Sequence, residues 1–236
     1  MAYEQEKSAT AASRTNFVLV HGAWHGGWCW RRVADLLTAR GHRVFTPTLT
    51  GLADRSHLLN PDINLTTHIT DIVNLIAWED LDRVVLCGHS YGGMVVTGVA
   101  DKVADRIAAL VYLDAFVPEN GQAMREIVTR PLGDSPFVTP IPAAVFKVNA
   151  ADQAYVDDKC TPHPAGTMSE KLVLTGAYKT VPKRSFIWAA DYAGAMTRYY
   201  EQYKNDPAWT VHAVACGHDV MLDKPDELAT LLEQAA

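Results

Sequence analysis

At 236 residues, 48% of them hydrophobic and 20% charged, the chain is long enough for one α/β domain with a full core, and this composition excludes a largely disordered protein. The 21 basic and 27 acidic residues give a formal charge of −6 with no Lys/Arg-rich run, which argues against a nucleic-acid partner. No apolar run approaches the ~20 residues of a membrane-spanning helix, so no membrane partner is expected either.

Met1 to Thr15 is polar, lacks the apolar stretch of a signal peptide, and reads as a flexible tail ahead of a domain over 16–236. Phe17–Val20 is a short apolar run stopped by His21-Gly22, as in a buried parallel strand. Between Trp28 and Arg40, the residues Val33, Leu36, Leu37 and Arg40 stand at helical spacing, and Gly41 offers a stop. Arg43–Phe45 is the next strand. Ile69, Ile72, Val73 and Ile76 then carry the i, i+3, i+4, i+7 pattern of an amphipathic helix. Val84–Cys87 is a further buried strand, running through Gly88 into a helical stretch rich in Gly, Val and Ala. Leu110–Leu113, Ser185–Trp188 and Thr210–Val214 complete six strands, and Pro225–Leu232 reads as a closing helix. Alternating strands and helices predict an α/β fold with a mostly parallel sheet of about six strands, flanked by helices on both faces. The stretch from about 117 to 182 breaks the rhythm with Pro118, Pro131, Pro136, Pro140, Pro142, Pro162 and Pro164, and reads as an inserted small helical cap. Cys29, Cys87, Cys160 and Cys216 form no C-x-x-C pair, so no metal or redox motif is present; reduced core thiols and a cytoplasmic location are expected.

The chemistry concentrates at Gly88-His89-Ser90-Tyr91-Gly92-Gly93, which fits G-x-S-x-G between an apolar strand and a small-residue helix. A nucleophile on such a turn has strained backbone angles, and side chains at 88 or 92 would collide with neighbouring elements. The turn pushes the Ser90 hydroxyl out at the C-terminal edge of the sheet, where ligands bind in open α/β folds. Serine needs a base. Of nine histidines, His218 alone follows the last strand, the place of the base in this arrangement; His21, His25 and His89 flank the site and shape it. The base needs a carboxylate to set its tautomer. Asp191, after the strand Ser185–Trp188, is the preferred acid, with Asp114, at the end of Leu110–Leu113, the alternative. The backbone N–H groups of Ala23 and Tyr91 are candidates for an oxyanion hole, although Gly22, Gly26 and Gly27 can equally serve a tight turn into a helix.

His21-Gly22-Ala23-Trp24-His25-Gly26-Gly27-Trp28-Cys29-Trp30 resembles the H-G-A-x-H-G-G-W-x-W opening of the plant methylesterase and hydroxynitrile lyase family and its bacterial esterase relatives. The nucleophile segment, Ala115-Phe116-Val117-Pro118, and Gly217-His218-Asp219-Val220-Met221-Leu222 followed by Pro225 are similar to the same family. The likeness runs from about Asn16 to the C-terminus and is thin between Glu119 and Lys183. It implies an α/β-hydrolase fold with a small cap, no cofactor and a Ser–His–Asp triad in which Asp191 supplies the acid. Two positions depart from the lyases of that family. Gly22 stands where they carry threonine, and Asp219 where they carry a lysine that holds the cyanide-like leaving group. A carboxylate has the wrong charge beside a nascent cyanide, so ester hydrolysis is favoured.

The function expected is therefore a serine carboxylesterase acting on small to medium apolar or aryl esters, pyrethroid-type esters being among the substrates of the bacterial branch it resembles. A hydroxynitrile lyase-like enzyme on the same scaffold, or a non-catalytic ligand receptor, are the alternatives. The partner expected is a small-molecule ester; a homodimer stays open. Phe116, Phe137, Phe146 and Tyr155 fall in or near the cap, as ordinary core or as an apolar pocket.

Overall fold

The computed structural model of the chain describes residues 14–128 and 133–236, so nearly all of the expected tail over 1–15 lies outside the described residues. Chain order runs β1 (Asn16–Val20), α1 (Arg31–Ala39), β2 (Arg43–Phe45), α2 (Leu65–Trp78), β3 (Val84–His89), α3 (Gly92–Lys102) and β4 (Ile107–Leu113). The interposed segment holds α4 (Met124–Ile127), β5 (Phe137–Val138), α5 (Gln153–Lys159), β6 (His163–Pro164) and α6 (Ala165–Ser169). The core then resumes with β7 (Lys183–Ala189), α7 (Thr197–Tyr203), β8 (Thr210–Val214), α8 (Val220–Asp223) and α9 (Pro225–Ala235).

All six expected strands form one sheet in the order β2-β1-β3-β4-β7-β8, and every pairing is parallel. β3 lies at its heart and is buried at all six positions, which is why Val84–Cys87 reads as an unbroken apolar run. In α2 the expected face is the buried one: Ile69, Ile72 and Ile76 are covered, and Asn64 caps the helix by accepting the Thr67 N–H at 2.9 Å. Val33 and Leu37 anchor α1, while Trp28 belongs to a 3-10 turn over Gly27–Trp30 that precedes it. The cysteines are unpaired, and Cys29, Cys87 and Cys216 are buried.

Parallel pairing brings five connections to one edge of the sheet. His21, Ser90, Asp114, Asp191 and His218 all follow the C-terminal ends of their strands. The segment between β4 and β7 lies over that edge. It is not purely helical as expected: β5 and β6 pair antiparallel, Phe137 with Pro164 and Val138 with His163. Arg32 of α1 clamps this cap with a two-pronged bond to Asp152 (2.6 and 2.7 Å) and a third bond to the Leu222 carbonyl at 2.8 Å. The arginine side chain is 45% exposed, so solvent weakens the pair. Arg32→Ala is expected to cost about 1 kcal/mol in urea denaturation; no change in midpoint would show that the clamp is idle.

Candidate active site

Ser90 stands on the turn between β3 and α3 with φ +53°, the left-handed region that non-glycine residues enter at a cost of roughly 1–3 kcal/mol. The turn is held from several sides. The Ser90 N–H donates to the Leu113 carbonyl (3.2 Å), and the Ser90 carbonyl accepts the N–H groups of Gly93 and Phe116, each at 3.1 Å. A Cβ at Gly88 would lie 2.6 Å from the Gly92 carbonyl oxygen, and one at Gly92 would lie 2.8 Å from that of Val20. Both glycines are therefore required by close backbone approach. Ser90 remains half-buried.

His218 follows β8 and is buried. Its N–H donates to the Phe146 carbonyl of the cap at 2.9 Å, and its ring lies among His89 (centroids 4.5 Å apart), Tyr192 (4.8 Å) and Phe146 (5.3 Å). Its Nδ1 stands 2.5 Å from Asp114 Oδ2. Asp114 is fully buried at φ +40°, its N–H donates to the Ile187 carbonyl at 2.6 Å, and its other oxygen accepts the Ala189 N–H at 3.3 Å. An ionised carboxylate only accepts, so the Nδ1 of His218 carries the hydrogen and Nε2 presents its lone pair. Neither that Nε2 nor Ser90 Oγ has a hydrogen-bond partner among the described residues; free enzymes commonly hold this contact loosely.

The expected partnership of Asp191 with His218 is corrected here: the residue against the imidazole is Asp114. Asp191 is exposed. Its N–H is committed to the Cys216 carbonyl (3.2 Å) and its carbonyl accepts Lys147 Nζ (2.7 Å), which leaves the side chain turned to solvent. It is the next residue, Tyr192, whose ring reaches His218. Asp114 reaches His218 because β4 lies beside β3, one strand nearer Ser90 than β7, and its left-handed turn aims the carboxylate across the sheet edge.

The first loop lies against Ser90: a Cβ at Gly22 would be 3.0 Å from Ser90 Cβ. The N–H groups of Ala23 and Tyr91 make no hydrogen bond among the described residues. Buried histidines hold both. His21 donates Nδ1–H to the Gly22 carbonyl (2.8 Å), in the same peptide unit as the Ala23 N–H, and its Nε2 accepts the Leu49 N–H (3.0 Å). One donor and one acceptor require a neutral ring, and burial takes its pKa down to about 3. The Tyr91 hydroxyl donates to Nδ1 of His68 (3.0 Å), whose Nε2–H goes to the Thr50 carbonyl (2.9 Å); burial lowers this histidine to about 4.

The cap grips the same loop at Trp24, itself at φ +66°. His163 Nδ1 accepts the Trp24 N–H (3.2 Å), Thr161 N–H donates to the Trp24 carbonyl (3.0 Å), and the indole N–H donates to the Val138 carbonyl (3.0 Å). Sequence reasoning missed these partners. They lie more than 110 residues away in the stretch of weakest pattern, and no local signal points to them. The reading of Asp219 also changes. Its carboxylate is fully buried and pairs with His25 Nε2 at 3.1 Å, so the charge next to His218 is compensated within the protein. An open groove of about 680 Å³ lined by Arg83, Lys102, Ile107 and Lys183 lies at the opposite, N-terminal ends of β4 and β7.

Comparison with known proteins bears out the fold. The profile of the alpha/beta hydrolase family matches residues 17–231. A carbendazim hydrolyzing esterase from Nocardioides sp. (strain SG-4G) is 44% identical, covering 92% of this chain and 98% of its own. Methylesterase 2 of Arabidopsis thaliana is 38% identical over 45% of this chain and 41% of its own. Among solved structures, an extracellular alpha/beta-hydrolase from a Paenibacillus species superposes with a TM-score of 0.79 at 25% identity, over 94% of this chain and 99% of that one. It is described as sharing structural and functional homology with tobacco salicylic acid binding protein 2. No helix among the described residues is long and apolar enough to cross a membrane. Both of these curated relatives are named as esterases, and the chain belongs to the alpha/beta hydrolase family.

Proposed function

We propose that this esterase cleaves carboxylic esters through an acyl-enzyme on Ser90, with His218 as general base and Asp114 as the acid that orients it. The observation that carries the reading is the 2.5 Å contact between Asp114 and His218 Nδ1, which leaves Nε2 unpartnered at the sheet edge where Ser90 stands. Ser90 Oγ attacks the ester carbonyl carbon as its proton passes to His218 Nε2. Asp114 stabilises the imidazolium. The Ala23 and Tyr91 N–H groups take the oxyanion; losing one such donor typically costs ~3–4 kcal/mol. His218 then gives its proton to the departing alkoxide. A water, deprotonated by His218, attacks the acyl carbon; the bond from that carbon to Ser90 Oγ then breaks as His218 returns the proton to Oγ, and the carboxylic acid leaves.

The substrates proposed are small to medium apolar or aryl esters. Phe146 and Tyr192 beside His218 supply aromatic surface for such groups, and the relative that hydrolyses carbendazim makes that compound the first to test. Four unpaired thiols support a reducing, cytoplasmic setting. A panel of esters varied separately in acyl and alcohol parts, together with carbendazim, is the test. Turnover of uncharged aryl or alkyl esters by the wild type, absent in Ser90→Ala, is expected. Equal activity in both proteins would refute the mechanism, and turnover confined to charged esters would refute the substrate class.

A further inference from the structure

We propose that His25 and Asp219 are a positioning pair: a buried imidazolium–carboxylate bridge that fixes the oxyanion-binding loop and the loop carrying His218 relative to each other. The inference rests on the roles proposed above for Ala23 and His218.

The hydrogen-bond inventory sets the charge. His25 is 3% exposed and Asp219 is fully buried. His25 Nδ1 lies 2.8 Å from the Ala23 carbonyl oxygen, which can only accept, so this nitrogen bears a hydrogen. Nε2 lies 3.1 Å from Asp219 Oδ2. The ring of Trp28 is stacked on the imidazole at 5.2 Å and 19°, and an aromatic face favours a cation, so the shared hydrogen belongs on the ring. Burial alone would lower the pKa of His25, but the Asp219 charge outweighs it and holds the group well above the ordinary imidazole value. Burial likewise tends to raise Asp219, and the facing His25 charge brings it well below the ordinary carboxylate range. Around His25 stand Cys160, with Sγ 3.9 Å from Nδ1, His89 with ring centroids 6.2 Å apart, and the neutral His21. Asp219 Oδ1 faces His89 Nε2 at 3.8 Å, and His89, next to Ser90, donates that N–H to the His218 carbonyl at 3.0 Å.

The bridge therefore ends on both halves of the site. One end holds the carbonyl of Ala23, the residue whose N–H is the proposed oxyanion donor. The other is the residue after His218. Deprotonation of His25 would set a lone pair against either the Ala23 carbonyl or the Asp219 carboxylate, and one tie would be released. The raised value means that the contribution of His25 to stability is complete below about pH 6.5 and is lost as pH rises through the folded value. The contribution of Asp219 is complete above about pH 3.9 and is lost as pH falls through its depressed value. Misplacement of about 1 Å can cost roughly 10²-fold in rate. A fall of kcat on the alkaline side, at the pH where His25 loses its proton, is the expected signature.

The test combines ¹⁵N NMR of the imidazoles with kcat and KM against pH, in wild type and in Asp219→Asn, which keeps the shape and removes the charge. His25 is expected to be doubly protonated at pH 8 in the wild type. In Asp219→Asn its titration should drop by at least about one pH unit, and the alkaline fall of kcat should move with it while KM changes little. Asp219→Ala should lower kcat about tenfold to a hundredfold. If that variant does not fold, the wild-type comparison decides alone: a kcat that stays flat through the His25 titration overturns the proposal, as does a neutral His25 at pH 8. Ser90→Ala measured alongside keeps the two readings apart, since an active Ser90→Ala would overturn the nucleophile whatever His25 does.

Discussion

Ser90→Ala is expected to lower kcat by about 10⁴-fold or more, with circular dichroism unchanged and KM little altered. The residue sits at the one strained turn between β3 and α3, half-buried, with its hydroxyl uncommitted to any partner among the described residues. Alanine tolerates the change in volume, because the backbone of the turn is held by Leu113, Gly93 and Phe116 and not by the hydroxyl. What would remain in the variant is binding and the oxyanion donors proposed above. Those leave a residual rate over water but no covalent step. Steady-state kinetics on a chromogenic ester measures the loss. Retention of more than about a tenth of the wild-type kcat would place the nucleophile elsewhere.

The carboxylates should separate just as sharply. Asp114→Asn is expected to cost roughly 10³–10⁴ in kcat at neutral pH, and Asp191→Asn less than about twofold. An amide facing His218 Nδ1 can present its N–H₂, which supports the tautomer that has its hydrogen on Nε2 and so blocks the base. It also removes the charge that stabilises the imidazolium. Asp114 is fully buried, with both oxygens engaged, so no other carboxylate replaces it in place. Asp191 is exposed, and its bonds to Cys216 and Lys147 are made by its backbone, which the substitution leaves alone. A large loss for Asp191→Asn beside a mild one for Asp114→Asn would return the role to Asp191.

The sheet was legible because its strands are buried on both faces. Apolar runs such as Val84–Cys87 cannot be confused with amphipathic elements when glycine and a helical pattern bound them. The nucleophile turn was legible for a related reason: contacts between Gly92 and the end of β1 exclude any side chain, so the glycine itself records the geometry. The acid was not. Asp114 and Asp191 both end strands at the same edge, and which one reaches His218 depends on a left-handed backbone at Asp114 and on loop bonds at Asp191, neither of which leaves a mark in residue type. From the sequence Asp219 reads as a charge facing substrate, whereas it is covered and paired with a histidine 194 positions earlier. Long-range polar pairing of this kind has no periodicity. The β5–β6 pair in the cap escaped for want of length, since each strand has two residues.

In the mechanism proposed above, the ester's acyl group passes through a covalent bond to Ser90 Oγ. Acid-quenching the enzyme milliseconds after mixing with an activated aryl ester, then mapping its peptides by mass spectrometry, tests this directly. One acyl group on the peptide containing Ser90, formed in the wild type and absent in Ser90→Ala, is the result expected. Acyl transfer to a different residue, or a burst of alcohol release with Ser90 unmodified throughout, would contradict it.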